Sequence, residues 1–154
     1  MVALAANLGS TFKTQFGHIY QLPVKAAVHI YRFAMVTIRL GEGYAQPAAD
    51  DTDDSTKQLF VGYAMEEIDN SDGGNGDLNV RVRMEGRFWA KKTAATQADV
   101  GKLAVVLDDQ TVQLYQVAGR SNVVVGRIVK VYDTSSVMIH MMDRPSRVSS
   151  GAND

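Results

Sequence analysis

From Leu78 to Glu85 the chain alternates without a break. Leu78, Val80, Val82 and Met84 share one parity, and Asn79, Arg81, Arg83 and Glu85 share the other. Successive side chains of a strand point to opposite faces, so this period of two describes a strand with one buried and one wet face. Gly86 bends the chain, and Arg87-Phe-Trp-Ala90 carries it on as strand. The arginines of the wet face are read as solvated sheet positions, with contact to an acidic partner as the other reading.

The same reading extends in both directions. Residues 24–40 are rich in β-branched and aromatic side chains. One long strand there would bury Arg32, so a break near Tyr31–Phe33 and two short strands are expected. Gly41-Glu-Gly43 is a turn, and Tyr44 to Pro47 a short return strand stopped by proline. Residues 59–68 read as a strand with a bulge or close approach at Gly62. Asn75-Gly76 is a tight-turn signal in a glycine-rich loop expected to join two antiparallel strands.

Further along, Thr96-Gln-Ala-Asp99 has the spacing of a single helical turn with an acidic capping box, ended by Gly101. Residues 103–107 and 112–117 form two strands around the turn Asp108-Asp-Gln-Thr111. Residues 123–132 follow as a valine-rich strand with a bulge at Gly126, and Val137, Ile139 and Met141 face one way on a last strand.

Strands this short, with turn signals roughly every ten residues and almost no helix, make an all-β protein. The expected form is a small single-domain β-barrel or β-sandwich of about eight to nine strands. Residues 23–142 would be that domain. Residues 1–22 would be an extended N-terminal arm anchored by Phe12, Phe16 and Tyr20, with a frayed terminus as the plainer reading. Residues 143–154, polar and without an apolar face, would be a flexible tail.

The chemistry expected of such a chain is narrow. The net charge of −1 favours neither nucleic acid nor an acidic membrane. Zero cysteines remove disulfides, thiolate metal sites and a cysteine nucleophile, and fit synthesis in a reducing cytoplasm. The first residues, Met-Val-Ala-Leu-Ala-Ala-Asn, lack a basic region, and no apolar run is long enough to span a membrane, so a soluble protein without a signal peptide is expected.

No cofactor, metal or enzymatic activity is expected. Asp50, Asp51, Asp53 and Asp54 crowd together but lack the glycine and distal glutamate of a calcium loop, and read as a solvated loop. Residues 69–77 fail the same template, where Gly73 and Val80 occupy ligand positions. His18, His29 and His140 have no acidic or histidine neighbour at ligand spacing and read as ordinary positions. Glu66–Glu67 and Asp108–Asp109 are adjacent, which suits no carboxylate dyad on a strand. Trp89, the only tryptophan, is expected in the core, with an interface anchor as the alternative.

A set of short motifs follows in order: Leu22-Pro-Val-Lys-Ala-Ala27 with Ile30-Tyr31, Gly43-Tyr-Ala-Gln-Pro47, Phe60-Val-Gly-Tyr-Ala64 with Ile68-Asp-Asn-Ser71, and Val80-Arg-Val-Arg83 before Gly86-Arg-Phe88. Ala98-Asp-Val-Gly-Lys102, Asp108-Asp-Gln-Thr-Val112 and Val125-Gly-Arg-Ile-Val129 complete them. In order and spacing, over roughly residues 22–140, the set resembles the head decoration (capsid cement) and related structural proteins of tailed bacteriophages. Phe33 departs from it, standing where a small residue is expected, and the tail after Met142 runs past the usual end.

What the resemblance implies is a non-enzymatic protein of the outer capsid surface of the virion, often a homotrimer. Its partner would be the major capsid protein, with no nucleic acid and no membrane. Candidate interface residues are Phe12, Phe16, Tyr20 and Trp89. Two other classes stay open: a tail-tube or head–tail joining subunit, and a nucleic-acid- or receptor-binding β-barrel whose footprint would be Arg81, Arg83, Arg87, Lys91 and Lys92.

Overall fold

The alternating segment is strand β7, Asn79–Arg83, and its Val80 and Val82 are completely buried while Asn79, Arg81 and Arg83 are exposed. Leu78, just before it, lies outside the core at 40% exposure. The computed structural model describes residues 19–51, 57–115 and 123–141. Phe12, Phe16 and the tail from residue 143 lie outside the described residues.

Among the described residues, twelve strands and one 3-10 turn follow in order. They are β1 Ile19–Pro23, β2 Val28–Ile30, β3 Met35–Arg39, β4 Ala45–Pro47, β5 Gln58–Ala64, β6 Ile68–Asn70, β7, and β8 Arg87–Lys91. After the 3-10 turn at Gln97–Asp99 come β9 Leu103–Val106, β10 Val112–Leu114, β11 Val124–Asp133 and β12 Ser136–Met141. The protein is all-β, as its periodicity predicts, with more and shorter strands than the eight or nine expected.

The strands form two five-stranded antiparallel sheets, ordered β1-β7-β5-β3-β4 and β10-β9-β11-β12-β8, and a two-stranded sheet of β2 with β6. The two large sheets pack in a sandwich-like way and are not closed into a barrel. Single parallel bridges, Val24 to Ala45 and Lys91 to Thr111, draw the two edges of each large sheet toward each other.

This curling creates two cores. One face of the first sheet, with Ile30 from β2, encloses Val24, Val36, Val61, Val80 and Val82. Its other face turns Met35, Phe60 and Tyr63 onto the second sheet, where they meet Phe88, Val106, Ile128, Val137 and Ile139. Phe88 stacks on Phe60 with ring centroids 6.0 Å apart. A strand buried on both faces loses the period-two pattern, which is why β5 reads as a continuous apolar run.

The break expected at Tyr31–Phe33 is present and sharp. Phe33 has φ 67°, in the left-handed region, and the chain turns there between β2 and β3. Both expected bulges are present: the register shifts between Val36 and Thr37 opposite Gly62, and between Val124 and Gly126. The Asp108 turn also forms, its Oδ1 accepting the Gln110 and Thr111 N–H groups at 2.9 and 2.7 Å.

Four expectations need correcting. The arm does not extend to residue 22, because Ile19–Pro23 pairs with β7 as part of the first sheet. Residues 59–68 are not one strand. Met65 N–H bonds the Arg81 carbonyl, the chain leaves the first sheet, and β6 pairs with β2 instead. The glycine-rich loop therefore links two different sheets rather than closing a hairpin. It is held by Asn70, which is buried and donates its Nδ2 to the carbonyls of Lys25 and Gly74 at 2.9 and 3.0 Å. Finally, Asp51 is not solvated: it is 1% exposed, and its Oδ2 accepts the Gln58 N–H at 3.2 Å.

Candidate functional site: an aromatic and cationic groove beside strand β8

β8 has the pattern of an amphipathic strand: Phe88 and Ala90 are buried, while Arg87, Trp89 and Lys91 are exposed. Trp89 is 51% exposed, so it is not the core residue its type suggests. The pleat decides this, because a buried Phe88 puts Trp89 on the opposite face. Trp89 lies against the Tyr132 ring from β11, and Lys130 Nζ sits 4.6 Å from the centre of the same ring. Arg127, Lys130 and His140 stand exposed on neighbouring strands β11 and β12.

Facing β8 is the corner between β2 and β3. Tyr31 is 57% and Phe33 59% exposed there, and the Arg32 guanidinium lies 4.7 Å from the Phe33 ring centre. Between corner and strand runs a groove of ≈ 540 Å³, whose walls include Tyr31, Phe33, Trp89, Lys91 and Asp109. A second hollow of ≈ 270 Å³ continues it past Arg87, sharing Phe33 and Trp89. A left-handed backbone at a bulky residue costs roughly 1–2 kcal/mol, and an exposed ring recovers little of that by burial. Such an outlier points toward a role at the surface.

Asp109 is the acid in this groove. It is half-buried, and its carbonyl accepts the Met35 N–H at 2.7 Å. Burial, with Asp108 beside it, pushes its carboxyl above the ordinary value of 3.8. The unfolded chain therefore ionises more readily than the folded one, and folding stability falls as pH rises from the ordinary value through the raised one. Asp109→Asn is accordingly expected to melt higher than the parent at pH 7 and level with it at pH 3, in paired thermal scans.

Of the candidate interface residues, Tyr20 and Trp89 are among the described residues, and they lie on different sheets. Tyr20 lies on β1 at 44% exposure, at the outer edge of the first sheet, whereas Trp89 lies on β8 at the edge of the second. The residues that gather around Trp89 are Tyr31, Phe33 and Tyr132, none of which local sequence marks as a site. The one available signal was Phe33, a large residue at a position expected to hold a small one.

The basic stripe also divides. Arg81 is on the first sheet and makes a two-pronged pair with Glu66, with Nε 3.3 Å from Oε1 and Nη2 3.1 Å from Oε2. Lys92 is buried, with Nζ 2.9 Å from Asp99 Oδ2. Arg87 and Lys91 remain on the groove.

Two other clusters go beyond the sequence reading, which holds only the Asp99 cap on Thr96. His29 meets an acid after all, its Nε2 lying 2.8 Å from Glu67 Oε1, and its ring stacks on Tyr31 at 4.2 Å. Asp99, 5% exposed, accepts the Thr96 N–H at 3.0 Å and has Lys102 Nζ at 3.5 Å. Burial pushes the Asp99 carboxyl up, but the Thr96 N–H and the two lysines outweigh it and hold it below its ordinary value.

Among the described residues there is no grouping of three or more His, Asp or Glu side chains placed to hold a metal ion. Among them, too, no helix is long and apolar enough to cross a membrane. Comparison of the chain with protein-family models, with curated proteins and with solved structures finds no match.

Proposed function

We propose that the protein is a decoration protein of a tailed-phage head. It binds the outer surface of the assembled shell as a homo-oligomer, favoured as a trimer, and holds major capsid protein subunits together. The observation that carries this reading is β1: an edge strand that continues directly from the N-terminal segment. Val24 N–H bonds the Leu78 carbonyl, so by the alternation of an antiparallel ladder Ile19 and Gln21 turn their main-chain groups to the open side. An edge of that kind is suited to pairing with a strand of another protein. The ordered motif resemblance over residues 22–140 supports the same reading.

The mechanism follows from mass action. A protein that touches two or more subunits of the assembled shell gains from each contact a high effective concentration for the next. Binding the assembled state and not its parts stabilises that state. Undecorated heads of the encoding phage, mixed with the protein and sedimented, are expected to take it up to a fixed number of copies per shell. Recovery of all the protein in the supernatant at physiological salt would contradict the proposal.

The exposed cations Arg87, Lys91, Arg127 and Lys130 beside Trp89 and Tyr132 favour a second reading, a binder of single-stranded nucleic acid. On that reading an oligo-dT strand binds with affinity that falls steeply as salt is raised.

A further inference from the structure

We infer that the open edge of β8 accepts an extended acidic peptide segment as an added strand, laid in the groove between Trp89 and Phe33. The main chain points to this first. β8 is the last strand of its sheet. Lys92 N–H bonds the Ser135 carbonyl and Met141 N–H bonds the Gly86 carbonyl, which fixes the even-numbered residues toward β12. Arg87, Trp89 and Lys91 therefore turn their N–H and C=O groups outward. Lys91 N–H is met by the Gln110 carbonyl at 2.9 Å. Arg87 and Trp89 thus offer two N–H and two C=O groups to a further strand.

The groove then selects the strand. Edge strands are normally blunted by charge, proline or cover. Here, among the described residues, the turn at Gln110 covers only the Lys91 end, and the Arg87–Trp89 stretch opens into the two adjoining hollows. Their walls carry Arg32, Arg87 and Lys91 against one acid, Asp109. A neutral or basic segment gains nothing from that surplus, whereas an acidic one is drawn in and oriented by it. Main-chain bonds supply affinity in such an addition, and alternate side chains fill pockets. The exposed rings of Phe33 and Trp89 provide the apolar wall for the inward-facing alternate residues. On the decoration reading, on which this depends only for its source, the segment belongs to a capsid subunit.

The test uses the full-length protein and a fluorescein-labelled, N-acetylated peptide of alternating glutamate and valine with one central phenylalanine, followed by anisotropy. Two controls are the same peptide with lysine for glutamate, and the acidic peptide N-methylated at alternate residues. The acidic peptide is expected to bind about tenfold more tightly than either. Trp89→Ala and Phe33→Asn are expected to weaken it by a similar factor. Asparagine tolerates the left-handed backbone, so Phe33→Asn should melt no lower than the parent and separates lost contact from lost fold.

Absence of binding, equal binding of the lysine peptide, or no loss on N-methylation would each overturn the inference. So would oligo-dT displacing the acidic peptide and binding more tightly than it. Failure here with heads still saturated would leave the decoration role standing and remove only the groove. Peptide binding without uptake by heads would do the reverse.

Discussion

Asp99→Ala is expected to lower stability by about 3 kcal/mol or more, the cost of leaving a buried charge without its partner. Lys92 and Asp99 are 7% and 5% exposed, and their charged atoms are 2.9 Å apart. Removing the carboxylate strands the Lys92 ammonium beside the carbonyls of Thr93 and Ala94, at 3.2 and 3.5 Å, with no other acid paired to it among the described residues. It also frees the Thr96 N–H that Asp99 caps. For a chain of this size the loss corresponds to roughly a 10 °C fall in melting temperature.

Asp99→Asn keeps an oxygen for Thr96 and should fall between parent and alanine variant. The pH dependence has a definite sign. The Asp99 carboxyl is held below its ordinary value of 3.8, so its stabilisation is complete above that value and fades as the medium is acidified through the lowered one. The gap between parent and Asp99→Asn should therefore close in strong acid. Chemical denaturation of the three proteins at pH 7 checks the order, and a series descending from pH 3.8 into strong acid checks the closure.

Gly62→Ala is the second large effect. Gly62 sits in β5 at φ 138°, where the strand passes under β7. A Cβ there would collide with the Arg83 main-chain carbonyl and press on Val82, and backbone in a paired strand cannot step aside cheaply. The strained φ and the overpacking together are expected to cost roughly 2–5 kcal/mol. Gly126 repeats the device in the second sheet, where a Cβ would meet the His140 carbonyl. Gly41 serves as the control: its φ is 92° but nothing lies within 4 Å of a Cβ, so Gly41→Ala should cost only about 1 kcal/mol. Equal melting of Gly62→Ala and Gly41→Ala would show that the close approach at β5 is not what glycine serves.

Local chemistry made much of this fold readable in advance. The Leu78–Glu85 alternation gives β7 its faces, and glycine inside valine-rich runs gives the bulges at 62 and 126. The Asp108 turn and the Thr96–Asp99 capping pattern each depend on residues within four positions. What could not be read depends on distant partners. Residues 59–68 look like one strand because nothing local tells that Ile68 pairs with Ile30. Asp51 looks solvated because its donor, Gln58 N–H, lies beyond the loop.

The groove was hidden for the same reason. Trp89 and Phe33 are 56 positions apart, and a lone tryptophan in a strand is more often core. Only the pleat of β8, set by Phe88 stacking on Phe60, turns Trp89 outward. Phe33 did carry a local sign, since a break was needed beside it, but a break does not say that the ring stays exposed.

The central claim is that this β module reinforces an assembled phage head. Heads lacking the protein, with and without saturating purified protein, would be heated in steps while DNA release is followed by dye fluorescence. Release at a higher temperature in the supplemented heads, rising with protein concentration until the bound copies per shell stop increasing, is the predicted result. Identical release temperatures with protein bound, or no binding at all, would contradict it.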